Sequence, residues 1–260
     1  MVMGPTHAMS GAAAWLAAAP AVAAVSGAHL STPELLVGAA VCAGSALLPD
    51  IDEPSSTVAR SFGPATQALA HVVNNVSAAV HNATATRADG HTSDGHRTVT
   101  HTALFAVAAG AGVSTLAGTF GTPAVVGVLF FTLGLAIRGL LGSLAKKEGW
   151  LGVTVAAMSG AWATAITLGD GHLWWLGFAV TAGVLLHSLG DALTKEGVPL
   201  LAPAPYRGKA WWEFNTGPFS FRAGGIVEYA VVAPLLTAVA VYGLVRAVDP
   251  TLARTIVGLA

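Results

Sequence analysis

Residues 122–142 read TPAVVGVLFFTLGLAIRGLLG. They carry one charge, Arg138, in an apolar run long enough to cross the ~30 Å hydrocarbon core of a bilayer as a helix. Further apolar stretches lie at roughly 9–28, 33–49, 101–119, 150–169, 172–190 and 226–246. The expected fold class is therefore all-α, a polytopic transmembrane helical bundle of about seven spans, with 1–260 as a single domain. The first two spans are short and rich in Ala and Gly. Small residues let helix backbones approach closely, which suits a tight bundle. Trp15, Trp150, Trp174 and Trp175 fall near span ends, where interfacial Trp is expected, Trp15 being the deepest.

Composition agrees. The chain has 260 residues, 54% hydrophobic and 10% charged, against about 25% charged in a typical soluble domain. Twelve Lys+Arg and thirteen Asp+Glu leave a net charge of −1, and the mean hydropathy is +0.67. This excludes a disordered chain and disfavours an ordinary soluble enzyme. No basic stripe marks a nucleic-acid partner. The apolar run at 11–25 is not preceded by Lys or Arg, so it reads as a retained span and not as a cleaved signal. Cys42 is the only cysteine, so a metal site would have to use His, Asp or Glu. No repeat or coiled-coil heptad is present, and the sequence assigns no oligomeric state.

Two hydrophilic segments interrupt the spans. Residues 50–100 form one. Within them 64–85 places Ala68, Val72, Val76 and Ala79 at helical spacing, an amphipathic helix at the membrane surface. Residues 86–95 (TRADGHTSDG) read as a flexible loop. The second segment, 191–225, is rich in Pro, Gly and aromatics and reads as an interfacial cap. With seven spans, one side carries Arg60, Arg87, Arg97, Arg138, Lys146, Lys147, Lys195, Arg207, Lys209 and Arg222. The other carries Arg246 and Arg254. The bias puts the first side in the cytoplasm.

Four polar clusters stand at span ends, and alternation of the spans returns all four to that side. They are Thr6-His7, Pro49 to Asp52, His96 to His101, and His187 to Asp191. His187 and Asp191 are i and i+4, so on a helix they project from one face as two ligands of one metal do. A His–Asp hydrogen bond near the interface is the plainer reading of that pair. Asp50 and Asp52 repel unless a cation or a proton lies between them. Asp52 is alternatively a general base, and a solvated loop is the plain reading of both. His96 and His101 reach one site only if the helix begins near Thr98, with Thr98 or Thr100 as its cap. Arg97 suits a phosphate or carboxylate, or simply the interface. His7 alone reads as a surface residue. His29, His71, His81, His91 and His172 read as solvated or interfacial. Imidazoles and carboxylates without thiolates suit a divalent metal: Zn, Mn, Fe or Mg.

The ordered set Thr6-His7, LLPDID (47–52), GHRTVTH (95–101) and HSLGDALTKEGVPLL (187–201) resembles the LexA-regulated, membrane-bound predicted metal-dependent hydrolases of the YdjM type. The resemblance covers about 1–60, 95–110 and 185–207. The chain departs from it in a longer 60–94 insert and in extra spans near 122–169. It implies an integral membrane protein with a metal-dependent hydrolase assignment.

The expected function is hydrolysis at the cytoplasmic membrane face, of an ester or phosphoester of a lipid or other amphiphile. Metal ligands are drawn from His7, Asp50, Asp52, His101, His187 and Asp191. Asp52, His96 and Arg97 are the catalytic candidates, with His96 as ligand or proton shuttle and Arg97 holding an anionic oxygen. Arg207 and Arg222 reach in from the cap. The alternatives are a cation transporter, for which Glu228 inside the last span speaks, and a structural membrane protein without activity.

Overall fold

A computed structural model describes residues 3–169, 173–256 and 258; His172 lies outside them. The elements are α1 (Gly4–Val25), α2 (Thr32–Ser45), α3 (Pro64–Thr84), α4 (Ala103–Phe120), α5 (Thr122–Leu141), α6 (Ser143–Leu168), α7 (Leu176–Ala192), α8 (Ala233–Val248) and α9 (Pro250–Ile256). There are no strands among the described residues, only three isolated bridges in the 191–225 segment. Six helical stretches are long and apolar enough to span: α1, Thr32–Asp52, α4, α5, α6 and Glu228–Val248. The seventh apolar helix, α7, has 17 residues.

Local sequence explains the helix ends. Ser31 and Glu34 form a reciprocal capping box at the start of α2, with Pro33 in its first turn. Gly121 alone joins α4 to α5, at φ 57°, a left-handed conformation that a β-carbon disfavours. Pro5 sits in the first turn of α1, so that helix begins earlier than the apolar run, and His7 lies inside it and not ahead of it. The α4 cap is Thr102, whose hydroxyl accepts from Phe105 N–H at 3.0 Å, and not Thr98 or Thr100.

The hub is α2, the most enclosed of the spans and packed by α1, α5 and α7. Lipid tails are as apolar as leucine, so close packing and not water exclusion holds such helices together. Small residues make the contacts possible. A β-carbon added to Gly183 of α7 would stand 2.4 Å from the Cys42 carbonyl oxygen of α2. Outward, α4, α6 and α7 present Leu104, Val107, Val155, Trp162, Ile166 and Phe178, all exposed. So continuous an apolar exterior fits lipid and not water. Trp175 departs from the interfacial expectation. It is 1% exposed and packs on Trp15, with ring centroids 5.8 Å apart.

The amphipathic helix is α3, and its polarity is the reverse of a soluble helix. Thr66, Ala70, Ser77 and His81 face inward, while Leu69, Val72, Val76 and Val80 are exposed. An outward apolar stripe of this kind suits a helix lying in the bilayer interface. His81 is thus buried, against Trp211 at 5.0 Å, and not solvated. His29, His71 and His91 are exposed, as expected.

The 86–95 segment is not a loose loop. Asn82 holds Thr92 through two hydrogen bonds of 2.7 and 2.9 Å. Asp89 accepts the amides of Ala210 and Trp211, both at 3.0 Å, and that of Thr86 at 2.7 Å. Burial disfavours its charge, but these donors outweigh that and bring its pKa down to about 2. Asp89→Ala is expected to free the cap at 208–211, with amide exchange at Ala210 and Trp211 faster by about tenfold, the scale of one hydrogen bond to a charged group. In the wild type the same clamp contributes fully above the ordinary aspartate pKa and is lost as pH falls through about 2.

Candidate metal centre

Four elements converge at one end of the bundle. The first turn of α1 brings His7. A 3-10 turn, Leu48–Asp52, continues α2 and brings Asp50 and Asp52. A second 3-10 turn, Val99–His101, leads into α4 and brings His101. The last turns of α7 bring His187 and Asp191. All six side chains are buried, four of them at 0% exposure.

The centre is built around two imidazoles. His187 Nδ1 lies 2.8 Å from the Ala46 carbonyl oxygen, which only accepts, so Nδ1 carries the proton and Nε2 the lone pair. His101 Nδ1 faces Asp52 Oδ2 at 3.5 Å and Thr100 Oγ1 at 3.0 Å. Thr100 spends its own proton on Asp52 Oδ2, so its oxygen accepts from His101 Nδ1, and His101 too presents a bare Nε2. The two Nε2 atoms are 3.2 Å apart. Two lone pairs at that distance repel unless a cation or proton lies between them. Two nitrogens bound to one zinc at ~2.0–2.1 Å are separated by about that spacing.

Carboxylates close the ring. Asp50 Oδ1 lies 3.5 Å from His187 Nε2 and 3.9 Å from His101 Nε2, buried and without a hydrogen bond. Asp191 Oδ2 is 3.7 Å from both Nε2 atoms, and its Oδ1 is 3.3 Å from His7 Nε2. The His7 ring stacks on His187 at 3.8 Å, and neither of its nitrogens is hydrogen bonded. Two overlapping groups, His7/His187/Asp191 and Asp50/His101/His187, therefore have the spacing to hold a metal ion. His187 has a single bare nitrogen, so it serves one ion, and that nitrogen faces His101.

The structure places Asp52 elsewhere. Its carboxylate lies on the far side of His101, receiving Thr100 Oγ1, the Arg97 amide at 3.2 Å and His96 Nδ1 at 2.8 Å. It orients His101 and is not itself in either group that could hold a metal ion. The cause is the 3-10 turn, where about 3.0 residues complete a circle, so Asp50 and Asp52 point different ways. Asp52→Asn keeps the shape and removes the charge. It is expected to weaken metal binding by about 10–100-fold, measured by competition with a chromogenic chelator.

His96 is tied to Asp52 and stands at the edge, 15% exposed. Burial disfavours its cation, but the Asp52 hydrogen bond and the charges of Asp52, Asp50 and Glu53 outweigh that and hold its pKa above the ordinary value. Arg97 adopts a left-handed backbone, φ 58°. This lets one residue give its amide to Asp52 and its guanidinium to Asp191 (3.5 Å) and Glu196 (2.7 Å). Glu196 is not among the residues the sequence singles out; within KEG (195–197) no spacing ties it to Arg97, 99 residues away. Arg207 and Arg222 are exposed, and Arg207 lies over the Tyr206 ring at 5.2 Å. Glu228 is buried, but it ties backbone together, accepting the amides of Met3 and Gly224, each at 2.7 Å. That role removes the feature that favoured a transporter.

The family model of the YdjM inner membrane protein matches residues 1–249. No curated protein and no solved structure matches the chain.

Proposed function

The chain belongs to the YdjM inner membrane protein family, and from that premise we propose that it is a metal-dependent hydrolase acting at the cytoplasmic membrane face on an ester or phosphoester of an amphiphile. The observation that carries this reading is the pair of bare Nε2 atoms 3.2 Å apart, flanked by Asp50 and Asp191 in a buried pocket. His101, His187, Asp50 and Asp191 would hold the ion, with His7 supporting Asp191. A divalent metal supplies acidification of a water and polarisation of the scissile group.

The chain's own residues do the rest. Asp52 and Ala46 keep the two imidazoles in one tautomer. His96, at the rim, carries a proton to or from the reacting group. Arg97 offers an anion a partner in place of Glu196, which is 70% exposed and weakly committed. Support for an amphiphile comes from an apolar cavity of about 320 Å³ that reaches His7 between α1, α7 and α8. It shares Leu186 and Leu189 with a cleft of about 600 Å³ along α1 and α7. An acyl chain lying there would present its head at the centre. The cytoplasmic placement rests on the ten cationic residues of that side against two on the other.

The test is turnover of phosphatidate, a lipid diphosphate and a carboxylic-ester lipid by detergent-purified protein, with and without chelator. Chelator-sensitive hydrolysis of one of them is expected. No turnover of any by well-folded, metal-loaded protein defeats the reading.

A further inference from the structure

Another cavity, of about 430 Å³ and carrying three cationic side chains, opens on the other side of the first turn of α1. Gly4 and Pro5 form one wall, and Arg60, Arg138 and Lys146 line it together with Thr57. The three cations come from three places: the segment after Asp52, the end of α5 and the start of α6. No carboxylate lines the cavity, and among the described residues none of the three has an ion-pair partner.

Arg138 is held in place by carbonyls. Its guanidinium donates to Ala145 O at 3.1 Å and Ser61 O at 3.4 Å, while its buried Nε has no partner. Arg60 is anchored on the Ser55 carbonyl. Lys146 is exposed and lines the same cavity. Three like charges around one hollow repel each other, and burial of the Arg138 stem raises the cost. A polyanionic oxygen group relieves both, and the planar guanidinium fork suits phosphate.

We propose that Arg60, Arg138 and Lys146 form a phosphate-binding site, for a phosphate monoester group free or on a lipid head, separate from the His/Asp centre. Leu47 lines this cavity, and Asp50 follows three residues later, so an occupant would brace the turn that carries a ligand.

Binding is read, not turnover, so the result is independent of the hydrolase reading. The detergent-purified full chain is titrated with inorganic phosphate and followed by thermal unfolding. In parallel, phosphatidylcholine nanodiscs holding the protein take up a non-hydrolysable phosphonate analogue of phosphatidate. Arg60→Gln/Lys146→Gln alters two exposed side chains and is expected to fold. Lys195→Gln is the control for general charge. The expected result is saturable binding weakened about tenfold or more in the double variant, the scale of one charged hydrogen bond, and unchanged in the control. A response to both probes identifies the phosphate group itself as sufficient; a response to the phosphonate lipid alone identifies a lipid head. No saturable binding of either probe, or equal binding by wild type and double variant, overturns the proposal.

Discussion

His187→Ala is expected to strip the protein of its metal. The wild type, purified in mild detergent, should carry a divalent ion in stoichiometric amount by elemental analysis, and the variant almost none. The loss should exceed the ~10–100-fold typical of removing an outer partner of a ligand, because His187 is the one residue common to both ligand groups. Asp191→Ala should lose the ion too, since its Oδ2 lies 3.7 Å from both imidazole nitrogens. Metal absent from well-folded wild type, or retained in His187→Ala, would refute the centre. The alternative of a purely structural His–Asp contact forecasts the first of these outcomes: no ion in any of the proteins.

The second large effect belongs to a residue without chemistry. Gly183→Val places a β-carbon against the Cys42 carbonyl and within 2.7 Å of the Ser45 β-carbon. Backbone oxygen cannot rotate away as a side chain does, so α7 must part from α2. Overpacking of this kind typically costs about 1–3 kcal/mol, occasionally more. Here the separation also breaks the His187–Ala46 hydrogen bond one turn further along. The variant should show less monodisperse protein on size exclusion and little bound metal. Gly112→Val is the comparison, because a β-carbon there meets nothing within 4 Å. Normal behaviour of Gly183→Val would mean that α2 and α7 are not packed as described.

Much of the site was legible in the sequence because a bilayer reduces the problem. Alternating spans return every second helix end to one side, so Thr6-His7, Asp50, His101 and His187-Asp191 could be placed together from hydropathy alone. The i, i+4 spacing of His187 and Asp191 then pointed both inward. What hydropathy does not contain is direction within a turn. Asp50 and Asp52 looked equivalent, and a 3-10 turn separates them into a ligand candidate and a ligand's support. Thr100 looked like a helix cap, yet its hydroxyl serves Asp52, and Thr102 caps α4. Glu228 looked like a charge stranded in a span. Backbone amides of Met3 and Gly224 satisfy it, and no side-chain pattern announces amides. The long 60–94 insert is amphipathic in sequence, but its docking through Asp89 and Asn82 depends on partners more than a hundred residues away or on a turn closing back on α3.

The enclosure of α2 has a consequence for biogenesis. Its neighbours α1 and α5 leave the ribosome early, but α7 begins only at Leu176. Until then the α7-facing side of α2 must wait in lipid. Cys42 tolerates that wait, whereas Ser45, which packs on Gly183, and Asp50, which faces His187, lack their α7 partners until then. A nascent chain halted before Leu176 would thus expose polar atoms to hydrocarbon, a signal by which membrane quality control can distinguish unfinished copies from completed ones.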